Sequence, residues 1–335
     1  MQKSDKGSRE PALRSSRDRG QGLDMLPITK RLLNFLCLLG LVSAITFLLT
    51  LLIPGDPAHV AAGEGATAEQ VAEARQRLGL NDPVLVQFAK WLAALVHGDL
   101  GVSMQGGSPV SMLIGDRLPV TVGLALLAIV LAVLVGLPAG IIAASRRGKV
   151  TDRVITVVAS LGIAVPSFWL GLMLVLAFAV YGRILPSSGY APFLENPVEW
   201  LKFTIMPALT LAAAPAAEIA RQLRGAMIGT LEQDYIRTAR AKGLYGTSVL
   251  LKHALKNAGV PLMTVIGLQM AFLLGGSVIV EQVFGIPGLG SLSVTAVLQR
   301  DIPVIQGAVL VAAAAVLIVN LAVDLSYRVF NPKMR

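Results

Sequence analysis

The chain is 335 residues long, 54% hydrophobic and 15% charged, with a mean hydropathy of +0.69 and a formal net charge of +9. A soluble domain carries about 25% charged residues, so this balance excludes an ordinary water-soluble fold and places the chain in a membrane. The positive charge does not point to nucleic acid, because no basic, aromatic-laced soluble segment is present; Lys and Arg collect instead in loops kept on the cytoplasmic side.

Residues 1–24 are polar and rich in Ser, Gly, Lys and Arg. They lack the apolar content to fold and read as a disordered cytoplasmic tail, with Met25 as an alternative start of translation. Residues 25–335 read as one membrane domain. Crossing a bilayer core takes about 20 apolar residues. Six runs qualify: 32–53, 118–144, 154–182, 203–223, 258–280 and 304–326. The first is basic and then apolar, like a signal peptide. Its apolar stretch exceeds the usual core of about 7–15 residues, so an uncleaved anchor is expected. The fold expected is all-α and polytopic, with six transmembrane helices.

Orientation follows from the loops. Arg146, Arg147, Lys149 and Arg153 lie between the second and third runs. Arg221, Arg224, Arg237, Arg240, Lys242, Lys252 and Lys256 lie between the fourth and fifth, and Arg328, Lys333 and Arg335 follow the sixth. The loop 54–117 is more acidic. Positive-inside bias then puts both termini in the cytoplasm and 54–117 outside. Within that external loop, Thr67 with Gln70 fits a capping box, and Gly79 fits the stop of the helix so begun. Asp82 and Pro83 mark another start, with Pro at the first helical position. Val84, Leu85, Phe88, Trp91, Leu92 and Leu95 follow at helical spacing. That stripe suits a helix lying on the membrane, docking a partner, or packing on its own bundle. Pro138, Pro166, Pro207 and Pro215 fall inside spans and are expected to kink them, the fourth span being interrupted by its two prolines. Glu218 and Arg221, three apart, are expected to form a structural ion pair.

The stretch 224–258 is too polar to cross. Ile236–Lys242 favours helix, Gly243 supplies a left-handed stop, and a second helical piece at about 247–258 runs into the fifth span. Such an element is a short helix held along the membrane by two rigid neighbours. Ala239 and Ala241 are small enough for a partner to approach, and Arg237, Arg240 and Lys242 suit acidic groups around a partner's groove. An amphipathic loop resting on lipid headgroups is the alternative.

This segment resembles the EAA loop of type I ABC importer permeases. That pattern reads Glu-Ala-Ala, three residues, Gly, nine residues, then Ile-x-Leu-Pro. Aligned on Gly243, its first three positions fall on Arg237, Thr238 and Ala239, and its last four on His253, Ala254, Leu255 and Lys256. The acidic residue, the first Ala, the Ile and the Pro are absent. RTARAKGL and HALKN wording replaces the general pattern in the dipeptide/oligopeptide (and nickel) branch. LIPGDPA (52–58), LGLNDPVLVQFAKWL (78–92), GDLGVS (98–103), VPSFWLGL (165–172), EQVFGIPGLGSL (281–292) and NPKMR (331–335) agree with that branch, and with the first permease of its pair.

The resemblance implies a six-helix permease of the bacterial inner membrane. Arg237, Thr238, Ala239, Arg240, Ala241, Lys242, Gly243 and Leu244 would form a coupling helix docking on an ATPase, with His253, Ala254, Leu255 and Lys256 as the loop's second part. The implied partners are a second homologous permease, two cytoplasmic ABC ATPase domains that bind the ATP and Mg, an extracytoplasmic substrate-binding protein, and membrane lipid. Gly98, Asp99, Gly101, Ser103, Gln105, Gly106, Gly107 and Ser108 are flexible candidates for contact with the binding protein. Ser160, Ser167, Gln269 and Ser277 are candidates to line the path. Gly267, Gly275 and Gly276 read as close-packing residues. The cargo implied is a di- or oligopeptide, with nickel, glutathione or another small solute as alternatives.

Other classes find little support. No Walker A, HExxH or GxSxG is present, so the chain reads as a transport subunit and not an enzyme. One cysteine, Cys37, allows no internal disulfide, and His59, His97 and His253 offer no metal-ligand spacing. An ion-coupled carrier would want buried acidic or histidine residues inside its spans and inverted repeats, and no mid-span carboxylate is found.

Overall fold

The computed structural model describes residues 26–63 and 65–330; the expected N-terminal tail and the closing NPKMR lie outside them. Among the described residues there are helices and one isolated β-bridge, Val102 with Pro109. Helix α1, Leu26–Leu51, is followed by three short helices: α2 (Pro57–Ala62), α3 (Ala68–Arg77) and α4 (Val84–Val96). Asp56 caps α2, accepting from Ala58 N at 3.0 Å. The capping box of α3 forms both of its bonds, Thr67 N to Gln70 Oε1 at 2.8 Å and Gln70 N to Thr67 Oγ1 at 3.3 Å. Gly79, at φ +66, ends that helix, with Leu80 N returning to Arg75 O. Helix α4 begins one residue later than expected. Pro83 is extended (ψ 143) and caps it, while the Asp82 carboxylate takes Lys90 Nζ at 2.6 Å. The stripe on α4 packs on its own bundle through Phe88 and Trp91, whose rings lie 5.2 and 5.8 Å from Phe47 of α1; Leu85 and Val96 stay exposed.

Helix α5, Val110–Ser145, and helix α8, Pro197–Leu231, form the central pair. The expected interruption of the fourth span does not occur: α8 runs through Pro207 and Pro215. Both prolines are buried where α8 packs on α5, and neighbouring helices hold a backbone that has lost two hydrogen bonds. The close approach comes from glycine. A Cβ on Gly136 would lie 2.5 Å from Ala216 O, and one on Gly140 would lie 2.9 Å from Ala220 O. Two glycines four apart on one helix, facing alanine backbone on the other, form a small-xxx-small contact.

The third expected span is two helices, α6 (Val150–Ala164) and α7 (Ser167–Leu174), the latter continuing as a π-helix to Tyr181. They meet at 100°. Pro166 has no N–H to give and holds Val165 extended (ψ 125), which ends α6. After α8 come α9 (Asp234–Ala241), α10 (Gly246–Ser248), a π-turn (Val249–Ala254) and α11 (Leu255–Asn257), then α12 (Gly259–Gly276). The fifth span stops there, and α13 (Val278–Phe284) and α14 (Leu289–Gln299) make a second bent pair at 90°. Seven helical residues reach about 10 Å, a third of a bilayer core, so α13 by itself is too short to cross. Helix α15, Ile302–Phe330, closes the bundle against α12 and α1, with Gln306 Nε2 donating to Thr50 Oγ1 at 2.9 Å. Among the described residues five helices, α1, α5, α8, α12 and α15, are each long and apolar enough to cross, and the bent pairs α6–α7 and α13–α14 each pass the same test when taken together.

Candidate functional site

At one end of the bundle α9 forms an elbow between α8 and α12. Its sequence is amphipathic at helical spacing, so Ile236 is fully buried and Ala239 is buried too, against the π-turn. The expectation that Ala239 faces a partner is therefore corrected: its small side chain lets α9 lie close on its own chain. Arg237, Thr238, Arg240, Ala241, Lys242, Gly243 and Leu244 are exposed. Gly243 has φ +80, and Leu244 N returns to Ala239 O at 3.3 Å, a left-handed stop that only a residue tolerant of positive φ makes without strain. Sequence reasoning passed over two residues here. Tyr235 and Tyr245 are 46% and 83% exposed beside the cations, which makes the elbow an apolar anchor with a basic rim. In the second part of the loop Ala254 is fully buried, His253 and Leu255 are half-buried, and Lys256 is exposed.

The turn between α5 and α6 is tied to α8 at the same end. The Arg224 guanidinium grips Asp152 at two points, Nε to Oδ1 at 2.6 Å and Nη2 to Oδ2 at 2.8 Å, and Gly148 N adds a third bond at 2.9 Å. Arg147 pairs with Glu232 nearby, and Glu218 with Arg221 as expected.

At the other end, Ser103 is buried and donates to Asp301 Oδ2 at 2.5 Å, and Met104 N reaches Asp301 Oδ1 at 3.2 Å. Ser103 N bonds Ser108 O, and Gly101 N bonds Asp99 Oδ1. The segment 98–108, expected to be flexible, is thus pinned to the α14–α15 corner through a carboxylate 2% exposed; Gly98, Asp99, Gln105, Gly106 and Gly107 remain on the surface. Replacing Asp301 with alanine leaves those donors unmet, at about 1–3 kcal/mol. Protease cleavage within 98–108 should then quicken about tenfold, measured by limited proteolysis of the purified protein.

The four path candidates do not converge. Ser160 is exposed and donates to Thr156 O at 2.9 Å; Ser167 and Gln269 are half-buried. Ser277 is fully buried, and its hydroxyl is spent on Glu281 at 2.8 Å. Two cavities of about 700 and 680 Å³ are lined by none of the four.

Glu281, one residue past the expected fifth span, is fully buried, and sequence reasoning missed it. Its Oε1 accepts from Thr121 Oγ1 and Ser277 Oγ, and its Oε2 from Ser291 N, each at 2.8 Å. Thr121 Oγ1 in turn accepts from Leu289 N at 2.8 Å. Two orphan donors at the start of α14 are satisfied by this carboxylate and its threonine. Gly288 and Gly290 make room, since a Cβ on either would fall within 3 Å of the carboxylate. Three buried carboxylates, Asp152, Glu281 and Asp301, therefore tie three breaks in the helical bundle. Among the described residues no group of three or more His, Cys, Asp or Glu is placed to hold a metal.

Residues 136–335 match the family described as binding-protein-dependent transport system inner membrane component, and residues 25–125 match its N-terminal companion. The chain belongs to this family. The permease is 44% identical to a putative peptide transport system permease protein of Brucella abortus (strain 2308), over 92% of this chain and 98% of that one. It is 41% identical to a probable peptide ABC transporter permease protein of Sinorhizobium fredii, over the same shares. It is 43% identical to the glutathione transport system permease protein GsiC of Escherichia coli (strain K12), again over 92% and 98%. A solved chain of the MetNI methionine ABC transporter in an inward facing conformation has the same fold. Its TM-score is 0.55 at 18% identity, covering 66% of this permease and 97% of that chain. The permease is a multi-pass inner-membrane transport subunit of type I importer fold. The elbow, the Asp152–Arg224 grip and Glu281 lie within the family's matched segment, and Thr121, the partner of Glu281, lies within the N-terminal match.

Proposed function

We propose that this permease pairs with a second homologous permease and carries di- and oligopeptides inward, delivered by a substrate-binding protein and driven by two ATPase domains docked at the elbow. The observation that carries the reading is identity of 41–44% to peptide permeases over nearly their whole length. Glutathione, itself a tripeptide, is the second cargo, favoured by the 43% identity to the glutathione permease. Basic residues gather at the elbow end, so that end and both termini face the cytoplasm, and residues 54–109 face the binding protein. Closure of the ATPases moves the elbow, and the permease follows because one of its states fits the closed pair better. Candidate docking residues are Arg237, Arg240, Ala241, Lys242 and Leu244, with Tyr235 and Tyr245.

Co-expression with the ATPases and binding protein of the same transporter tests this. The purified permease should bring the ATPases with it, and proteoliposomes should accumulate radiolabelled trialanine on ATP, with glutathione as competitor. Gly243→Val should strain the left-handed turn by about 1–2 kcal/mol. A Cβ there meets nothing within 4 Å, so the penalty is conformational alone. Membrane insertion should be normal while ATPase recovery and uptake fall, and Gly243→Asn, which tolerates positive φ, should retain both. Wild-type uptake by the valine variant removes the coupling role.

A further inference from the structure

The α5–α6 turn is bound to the last turns of α8, from which the elbow springs. Glu232, which ends α8, holds Arg147 of the turn, and Arg224, two helical turns earlier, holds Asp152 in the first turn of α6. The two ties differ in kind. Arg147 and Glu232 are 58% and 60% exposed, and such pairs add little. The Asp152 side chain is 4% exposed, Arg224 meets it at two points, and Gly148 N–H supplies a third bond. A two-point guanidinium–carboxylate bond fixes orientation as well as distance. Helix α6 is held to the bundle along its α8 side, where Gly162 backs onto Ala217. Val154, Val157, Val158 and Leu161 on its other side are exposed. Beyond the 100° break, Gly171 of α7 rests on Phe284 of α13, beside the Glu281 knot.

We propose that the Asp152–Arg224 grip is the linkage through which movement of the elbow reaches the broken helix α6–α7, and that Asp152 is a positioning residue for transport. The inference rests on the importer reading above. When α8 shifts with the elbow, the grip obliges α6 to shift with it, and the α7–α13 contact carries the displacement to the opposite end of the bundle. Without the grip α6 lags behind, and ATP is hydrolysed without cargo moving.

The test uses the complete complex in proteoliposomes and reads radiolabelled trialanine taken up per ATP hydrolysed. Asp152→Asn keeps the shape but turns an amide N–H₂ toward Arg224 or Gly148 N–H. Complex recovery and ATP hydrolysis should stay within about twofold of wild type while uptake per ATP falls about tenfold. Arg224→Lys keeps the charge but loses the two-point bond, and should fall between the two. Asp152→Glu should recover most of the ratio. An unchanged ratio in Asp152→Asn and Arg224→Lys overturns the inference. So does a loss of uptake that only tracks loss of complex, which marks a purely structural tie. A wild-type complex that takes up no trialanine on ATP removes the importer reading and this inference together.

Discussion

Gly136→Val is expected to abolish the folded permease. The added Cβ falls 2.5 Å from Ala216 O and 3.0 Å from Ile219 Cβ, and neither neighbour is the free end of a flexible side chain. Backbone oxygen does not yield, so α5 and α8 must separate. Separation undoes the central contact of the bundle, which includes the fully buried Leu124, Ala128, Met206 and Ile219. Overpacking a close core costs about 1–3 kcal/mol when neighbours adjust, and more when a helix pair has to part. Gly140→Val should behave alike, with Ala220 O at 2.9 Å. Gly123→Ala is the control: its Cβ would meet Trp200 at an ordinary 3.7 Å, and the protein should be undisturbed. Size-exclusion chromatography of detergent extracts reads the outcome. A monodisperse Gly136→Val protein at wild-type yield would mean that the two helices do not meet in this way.

The difference between these glycines shows where sequence reasoning reached and where it stopped. Apolar run length located the crossings, because length against bilayer thickness is a one-dimensional quantity. Caps were legible for the same reason: Thr67 and Gln70 are three residues apart, and so are the atoms they join. Gly243 was legible because a left-handed stop concerns one residue's own φ. Gly136 and Gly140 were invisible as contacts, since what they touch lies about eighty residues away on α8. The interruption expected at Pro207 and Pro215 was wrong in the same way. A proline's local cost is readable, but the neighbours that keep its helix continuous are not. At the elbow the cations were read and the burial of Ala239 was not, because register against the π-turn decides which face is covered. Ser277 was placed on the path because a polar residue in an apolar run invites that role; its partner Glu281, four residues on, already claims the hydroxyl.

Glu281→Gln should destabilise the permease and stop transport without removing it from the membrane. All the hydrogen bonds around this side chain point inward. Thr121 Oγ1 is committed as an acceptor to Leu289 N, so its proton goes to Glu281; Ser277 Oγ donates to the same oxygen, and Ser291 N–H to the other. Three donors converge on two oxygens, and both oxygens act only as acceptors. Glutamine presents N–H₂ at one of these positions, and a donor then faces a donor. If the amide nitrogen turns to Ser291, that N–H is orphaned; if it turns to the hydroxyls, both must rotate to accept from it and lose their own acceptor. Each buried unpaired donor costs about 1–3 kcal/mol, and this side chain is shut off from bulk solvent. Thermal unfolding of the purified protein should begin at lower temperature, and uptake should be lost because the α13–α14 turn no longer has both of its acceptors. Thr121→Val, which removes the same proton donor and also strands Leu289 N, should reproduce the defect, and the double variant should lose less than the sum of the two. Strict additivity would show that the threonine and the carboxylate act apart, and the knot proposed between α5 and the bent α13–α14 pair would fail.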